Sequence, residues 1–218
     1  ETYFDAMFSY ALEIGRGHKL AFGLKAGGHL LNLNFSKLAN YKPNANLMGA
    51  DIKNKFSPNF GAGLFYYSDT FFAGLSVPNF LETEHFENSG LENDSYIIKD
   101  RMNYYLIAGS VFELNHNLKF KPSTLVKAVK GAPVKVDLAT NFLLNNKFSF
   151  GVAYRWSAAF SGMIGLQVTD QLMLGLSYDK ETTDLGGIAF NDGSFEVVLR
   201  YEIKTRNNRN RTIIPRFF

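Results

Sequence analysis

The ten residues KFSFGVAYRW, Lys147 to Trp156, decide the fold. Their even positions are Phe148, Phe150, Val152, Tyr154 and Trp156, and their odd positions are Ser149, Gly151, Ala153 and Arg155. Successive residues of a β-strand point to opposite faces, so the stretch reads as a strand with one face entirely apolar. QLMLGLSYDK repeats the pattern, with Leu172, Leu174, Leu176 and Tyr178 set against Met173, Gly175, Ser177 and Asp179. SFEVVLRYEIK repeats it again, with Phe195, Val197, Leu199, Tyr201 and Ile203 against Glu196, Arg200, Glu202 and Lys204. One face is greasy and flanked by aromatics; the other is charged.

Composition agrees with interleaving. Aromatics make up 15% of the 218 residues, with 21 Phe, 11 Tyr and 19 Gly, yet the mean hydropathy is only -0.11. Many aromatics at modest mean hydropathy are unusual for a water-soluble core. No apolar run approaches the roughly eighteen residues of a membrane helix, whereas a transmembrane barrel is signalled by alternation instead. Without cysteine, a disulfide framework and a thiolate metal site are excluded. A net charge of +3 is too small and too dispersed to indicate nucleic acid. The opening residues ETYFDAMFSYALEIG already read as a strand, without the basic and apolar regions of a signal peptide.

The pattern predicts about eleven strands: Thr2 to Ile14, Lys19 to Leu33, Pro58 to Ser68, Phe71 to Val77, Met102 to Glu113, Leu118 to Val129, Val134 to Leu144, Phe148 to Trp156, Ala159 to Val168, Leu172 to Asp179 and Ser194 to Lys204. Short turns at GRGH, SDT, LNHN, NNK and TDQ alternate with KGAP, the corner at Ser157 and three long connections. Short turns at one end and longer loops at the other are the plan of an antiparallel outer-membrane β-barrel. Such barrels have even strand numbers and both termini in the periplasm, so three further strands are expected, about fourteen in all. Residues 1–204 are then barrel, lacking a signal peptide and first strands, and 205–218 a periplasmic tail in which Arg206, Arg209 and Arg211 are candidates for a periplasmic contact.

The stretch LKFKPSTLVKAVKGAPVKVDLATNFLL (Leu118 to Leu144) places Lys119, Lys121, Lys127 and Lys135 on one face, and Asp137 shares it. Turned to the lumen, together with Arg155, Arg200 and Glu202, these charges can pair across strands; on the lipid side a mid-membrane Lys costs about 2–4 kcal/mol. The alternative is a basic channel selecting an anionic solute. Pro122 has no N–H to give to a ladder, so a bulge or locally broken pairing is expected there. The extracellular loops, Asn34 to Phe56, Asn79 to Arg101 and Lys180 to Gly193, hold the candidate docking residues: Asn44, Asn46, Glu82, Glu84, Glu87, Glu92, Asp94, Asp184, Asn191 and Asp192. The acidic ones are either a solvated loop, a Ca²⁺ site or a partner surface. HExxH, GxSxG and Walker patterns do not occur, and His18, His29, His85 and His116 are scattered, so no catalytic residue, resident metal or cofactor is assigned.

SPNFGAGLFYYSDTFFAGLSVPNFL (Ser57 to Leu81), the stretch Leu118 to Arg155, GLQVTDQLMLGLSYD (Gly165 to Asp179) and the terminal PRFF resemble the PorP/SprF family of type IX secretion membrane proteins of Bacteroidetes. The resemblance implies a non-enzymatic outer-membrane barrel of a Gram-negative bacterium. Its implied partner is the carboxy-terminal domain of secreted cargo, with its type B signal, often a giant adhesin used in gliding motility. It implies that the barrel assists secretion and cell-surface anchoring of that cargo, in contact with membrane lipids and with other translocon subunits. The rival expectation is a passive porin or FadL-like small-solute transporter; a soluble lipocalin-like barrel is weaker.

Overall fold

The computed structural model describes residues 2–33, 52–81, 101–183 and 193–203. Among them are twelve strands and no helix: β1 (Thr2–Gly15), β2 (His18–Leu33), β3 (Ile52–Tyr67), β4 (Phe71–Val77), β5 (Asn103–Ser110), β6 (Phe112–Asn115), β7 (Leu118–Val129), β8 (Lys135–Leu144), β9 (Phe148–Arg155), β10 (Ala159–Gln167), β11 (Leu172–Glu181) and β12 (Ser194–Tyr201). All pair antiparallel in one sheet, each with its sequence neighbour, except that β6 pairs β7 to the side of the β5–β7 contact. β1 and β12 do not pair with each other, so the sheet is not closed among the described residues.

The hairpin ends follow from their residues. Asn145 and Asn146 both adopt left-handed φ values, 54° and 53°, and the Lys147 N–H closes that turn on the Leu144 carbonyl at 3.0 Å. Asn tolerates this region better than other side chains, and the resulting mirror-image turn matches the strand twist. Gly17, with φ 77°, turns β1 into β2.

Several boundaries depart from the sequence expectation. Twelve strands are present instead of eleven because the stretch Met102 to Glu113 is split at Val111 into β5 and β6, with Met102 outside both. The cause lies across the ladder. Gly109 pairs Ser123 and Phe112 pairs Phe120, which sets Ser110 opposite Pro122, and Pro122 has no hydrogen to donate. The Val111 N–H turns instead to the Thr70 carbonyl at 2.6 Å. Pairing breaks on that side alone. Toward β8 the register runs unbroken through Lys121–Asn141, Pro122–Thr140 and Ser123–Ala139, so there is no bulge and no face is flipped. In addition, β3 begins at Ile52, shortening the loop that was expected to run to Phe56; β8 begins at Lys135, β9 ends at Arg155, and β12 ends at Tyr201.

Burial is the reverse of a soluble protein's. Among the described residues the buried hydrophobic ones are Leu31, Tyr67, Phe72 and Met173, while His29, Ser57, Asn59, Asn141 and Ser149 are buried polar ones, and no large side chain is wholly enclosed. On β9, Phe148, Phe150 and Val152 are exposed whereas Ser149 and Gly151 are buried. A chain of this length folding in water would bury its large apolar side chains first. This sheet presents them outward. Phe112, Phe120, Phe142 and Phe150 face one another in register on four adjacent strands, with centroids 6.2, 5.0 and 5.1 Å apart. At the other end of the same face Tyr154 packs on Phe160 at 4.5 Å and Tyr178 on Phe195 at 4.6 Å. Two aromatic bands thus flank an aliphatic one.

Candidate functional site

The register places the described candidates on the polar face. Lys119 pairs opposite Leu143, Lys121 opposite Asn141, Lys127 opposite Lys135, and Asp137 opposite Arg155. Alternation sets all of them on the face of the buried Ser149. Arg200 opposes Met173, which shares that face through β10.

Their partners differ from simple lysine–carboxylate pairing. Lys119 meets Glu113 of β6 at 3.3 Å. Lys121 and Lys127 lie over rings, at 6.0 Å from the Phe72 centroid and 5.4 Å from that of Tyr105, distances at which a cation is drawn to the ring's negative face. Asp137 takes Arg155, which donates from Nε at 2.8 Å and Nη2 at 3.3 Å. Arg200 and Glu202 stand 3.6 Å apart on the same chain segment. Lys25 bridges to Asp5 of β1 at 3.2 Å.

A second group was not identified from the sequence. After β4 the chain does not rise away from the sheet; Val77 to Leu81 folds onto the polar face of β3. The Asn59 carboxamide oxygen accepts the Leu81 N–H at 3.2 Å, its nitrogen donates to the Leu81 carbonyl at 3.0 Å, and Phe80 N–H meets the Phe60 carbonyl at 2.8 Å. Lys25 donates to the Asn79 side chain at 3.4 Å. Gly61 makes room, since a Cβ there would run into the Pro78 backbone. The words SPNF and VPNF that carry part of the family resemblance are the two sides of this contact. The signal was visible as a word without revealing that its two copies touch.

Toward the long-connection end, a recess of about 570 Å³ opens on the polar face between β8 and β12. Lys135, Asp137, Arg155, Ser161, Asp179 and Glu181 wall it. Among the described residues no three His, Asp or Glu side chains gather as metal ligands. The loop candidates Asn44, Asn46, Glu82, Glu84, Glu87, Glu92, Asp94, Asp184, Asn191 and Asp192, and the tail arginines, lie outside the described residues.

Compared with known proteins, residues 1–201 match the family described as type IX secretion system membrane protein PorP/SprF. No curated protein matches the chain.

Proposed function

The chain belongs to the PorP/SprF family of type IX secretion system membrane proteins, and on that premise we propose that it is an outer-membrane β-barrel that assists secretion and surface anchoring of type IX cargo. The observation that carries the reading is the match over residues 1–201. The outward array of aromatic and aliphatic side chains supports the membrane part, because exposed apolar surface of that extent is stable only against lipid or a partner.

In this reading the apolar face meets lipid and the polar face lines the lumen. The free edges of β1 and β12 would leave unpaired N–H and C=O groups in hydrocarbon, each costing several kcal/mol, so both edges are covered within the membrane. Residues 1–204 form wall and loops, and 205–218 a periplasmic tail. The docking surface for the carboxy-terminal domain of the cargo is assigned to the long-connection end, including the loop residues Glu82 to Asp94 and Asp184 to Asp192. The barrel performs no catalysis; it holds the cargo, and other translocon subunits meet it at its two rims.

The test is purification from native membranes in mild detergent. A large surface protein, retained through its carboxy-terminal domain, should co-purify, and a deletion strain should lose that protein from its surface. Undiminished display in the deletion strain would sink the anchoring role. In planar bilayers, steady ion conductance with selectivity for a small solute would favour the passive-pore alternative instead.

A further inference from the structure

The charges around the 570 Å³ recess are not equivalent. Asp137 and Arg155 satisfy each other across β8 and β9. Glu181 accepts the Thr183 hydroxyl at 2.6 Å. Lys135, on β8, has no hydrogen bond or ion pair among the described residues; directly opposite it on β7 stands a like charge, Lys127. Asp179, on β11, has no direct side-chain partner among the described residues and only a lesser electrostatic pull on Arg155.

Like charges directly opposite on neighbouring strands repel. The lysine wall therefore favours an arriving anion, and the Asp179 wall, with Glu181 beside it, an arriving cation. Adjacent strands lie about 4.8 Å apart, so three spacings from β8 to β11 separate the walls by about 14 Å across the sheet; Asp179 is level with Ser161, Ala153 and Ala139, four residues along β8 from Lys135, and that further offset of about 13 Å along the strands puts the two charges about 19 Å apart. In an extended chain residues i and i+6 share a face and lie about 20 Å apart. That span matches, and the volume falls in the range of ligand recesses.

We propose that the recess binds a short extended peptide segment carrying an acidic and a basic residue six positions apart, the acid at Lys135 and the base at Asp179. The inference rests on the cargo-docking reading and names the kind of segment docked. The neutral Asp137–Arg155 pair forms the floor between the two uncommitted charges, so a segment with both signs is favoured over one with either sign alone.

The probe is a dye-labelled, end-capped peptide Glu-Thr-Val-Thr-Val-Thr-Lys, kept extended by its β-branched centre, titrated by fluorescence polarisation with the purified protein in nanodiscs at low salt. Saturable binding is expected, with Gln-Thr-Val-Thr-Val-Thr-Gln at least fivefold weaker. Lys135→Glu or Asp179→Lys should each weaken the charged probe about fivefold, and the double variant should recover it, because the peptide can then lie in the reverse direction. Ser161→Trp, which fills the recess without altering charge, should abolish binding. Equal binding of both peptides, or single variants indistinguishable from the parent, would overturn the proposal. Should native cargo still co-purify while the charged probe fails to bind, the recess inference falls and the docking reading stands; charge-dependent probe binding without cargo retention supports the recess and removes the docking reading.

Discussion

Ser149 and Phe150 are consecutive residues of one strand, yet Ser149 is 4% exposed and Phe150 44%. The same inversion recurs between Met173 and Leu174 on β11 and between Asn141 and Phe142 on β8. On the outward face packing is loose and the requirement is chemical: nothing charged can sit in the middle of it. On the inward face charge is admitted and the requirement is spatial. Gly61, Gly151 and Gly165 each lie where a Cβ would collide with a neighbouring strand, strap or side chain. The two faces therefore fail under opposite substitutions.

Leu176 tests the first requirement most severely. It lies mid-strand between Ile164 and Val197 on the apolar face, and Leu176→Arg should cost about 2–4 kcal/mol of folding into vesicles. The neighbouring Ser177→Arg, on the polar face opposite Glu196, should cost less than about 1 kcal/mol. Urea titration of both, read by the heat-modifiable shift of the folded barrel in gels, gives the difference; equal costs would mean that the two faces meet the same solvent. The second requirement is tested by Gly61→Val, which adds no charge. The atoms in its way are Pro78 backbone, so the strap must move, and about 1–3 kcal/mol of stability should be lost. The same change at Gly162, around which there is open space, should be nearly silent.

Most of the sheet was legible because the long strands keep period two over most of their length, and a one-residue slip would move every charge of a strand to the apolar face. Pro122 was legible as a site of broken pairing. Which neighbour would lose its bonds was not, because that depends on strand order on both sides; β7 keeps β8 and loses contact with the stretch at Val111. The polar-face charges were identifiable by parity, but not their partners. Lys127 and Asp137 share a face, yet Asp137 is directly opposite Arg155 and takes it. Asn59 was hidden for a different reason: its role is to hold Leu81, twenty-two residues away, and no local pattern encodes such a contact.

Asn59→Ala removes three hydrogen bonds, to Leu81 N–H, Leu81 carbonyl and Phe60 N–H. It should cost about 1–2 kcal/mol, less than a charge among lipid tails, because water can replace some of the bonds. Its clearer effect should be local. Hydrogen exchange at Leu81 and Phe80 should quicken at least tenfold, with the β9–β11 amides unchanged. Exchange rising equally throughout the sheet would mean that Asn59 supports the wall and not the strap.

The smallest effect belongs to the Asp137–Arg155 pair. Its geometry is good, two hydrogen bonds across directly opposed residues, but the Arg155 side chain is 51% exposed, and exposed pairs contribute only about 0.2–1 kcal/mol. Asp137→Asn should therefore lower stability by less than about 1 kcal/mol, and raising the salt should shrink that difference, since screening shortens the reach of such charges to a few ångströms. The size of the loss reports on the lumen. A loss above about 2 kcal/mol, insensitive to salt, is the behaviour of a pair removed from water, and would mean that loops or cargo fill the barrel at the height of Arg155. A small, salt-sensitive loss would mean that water reaches the recess, the condition under which a charged peptide can enter it.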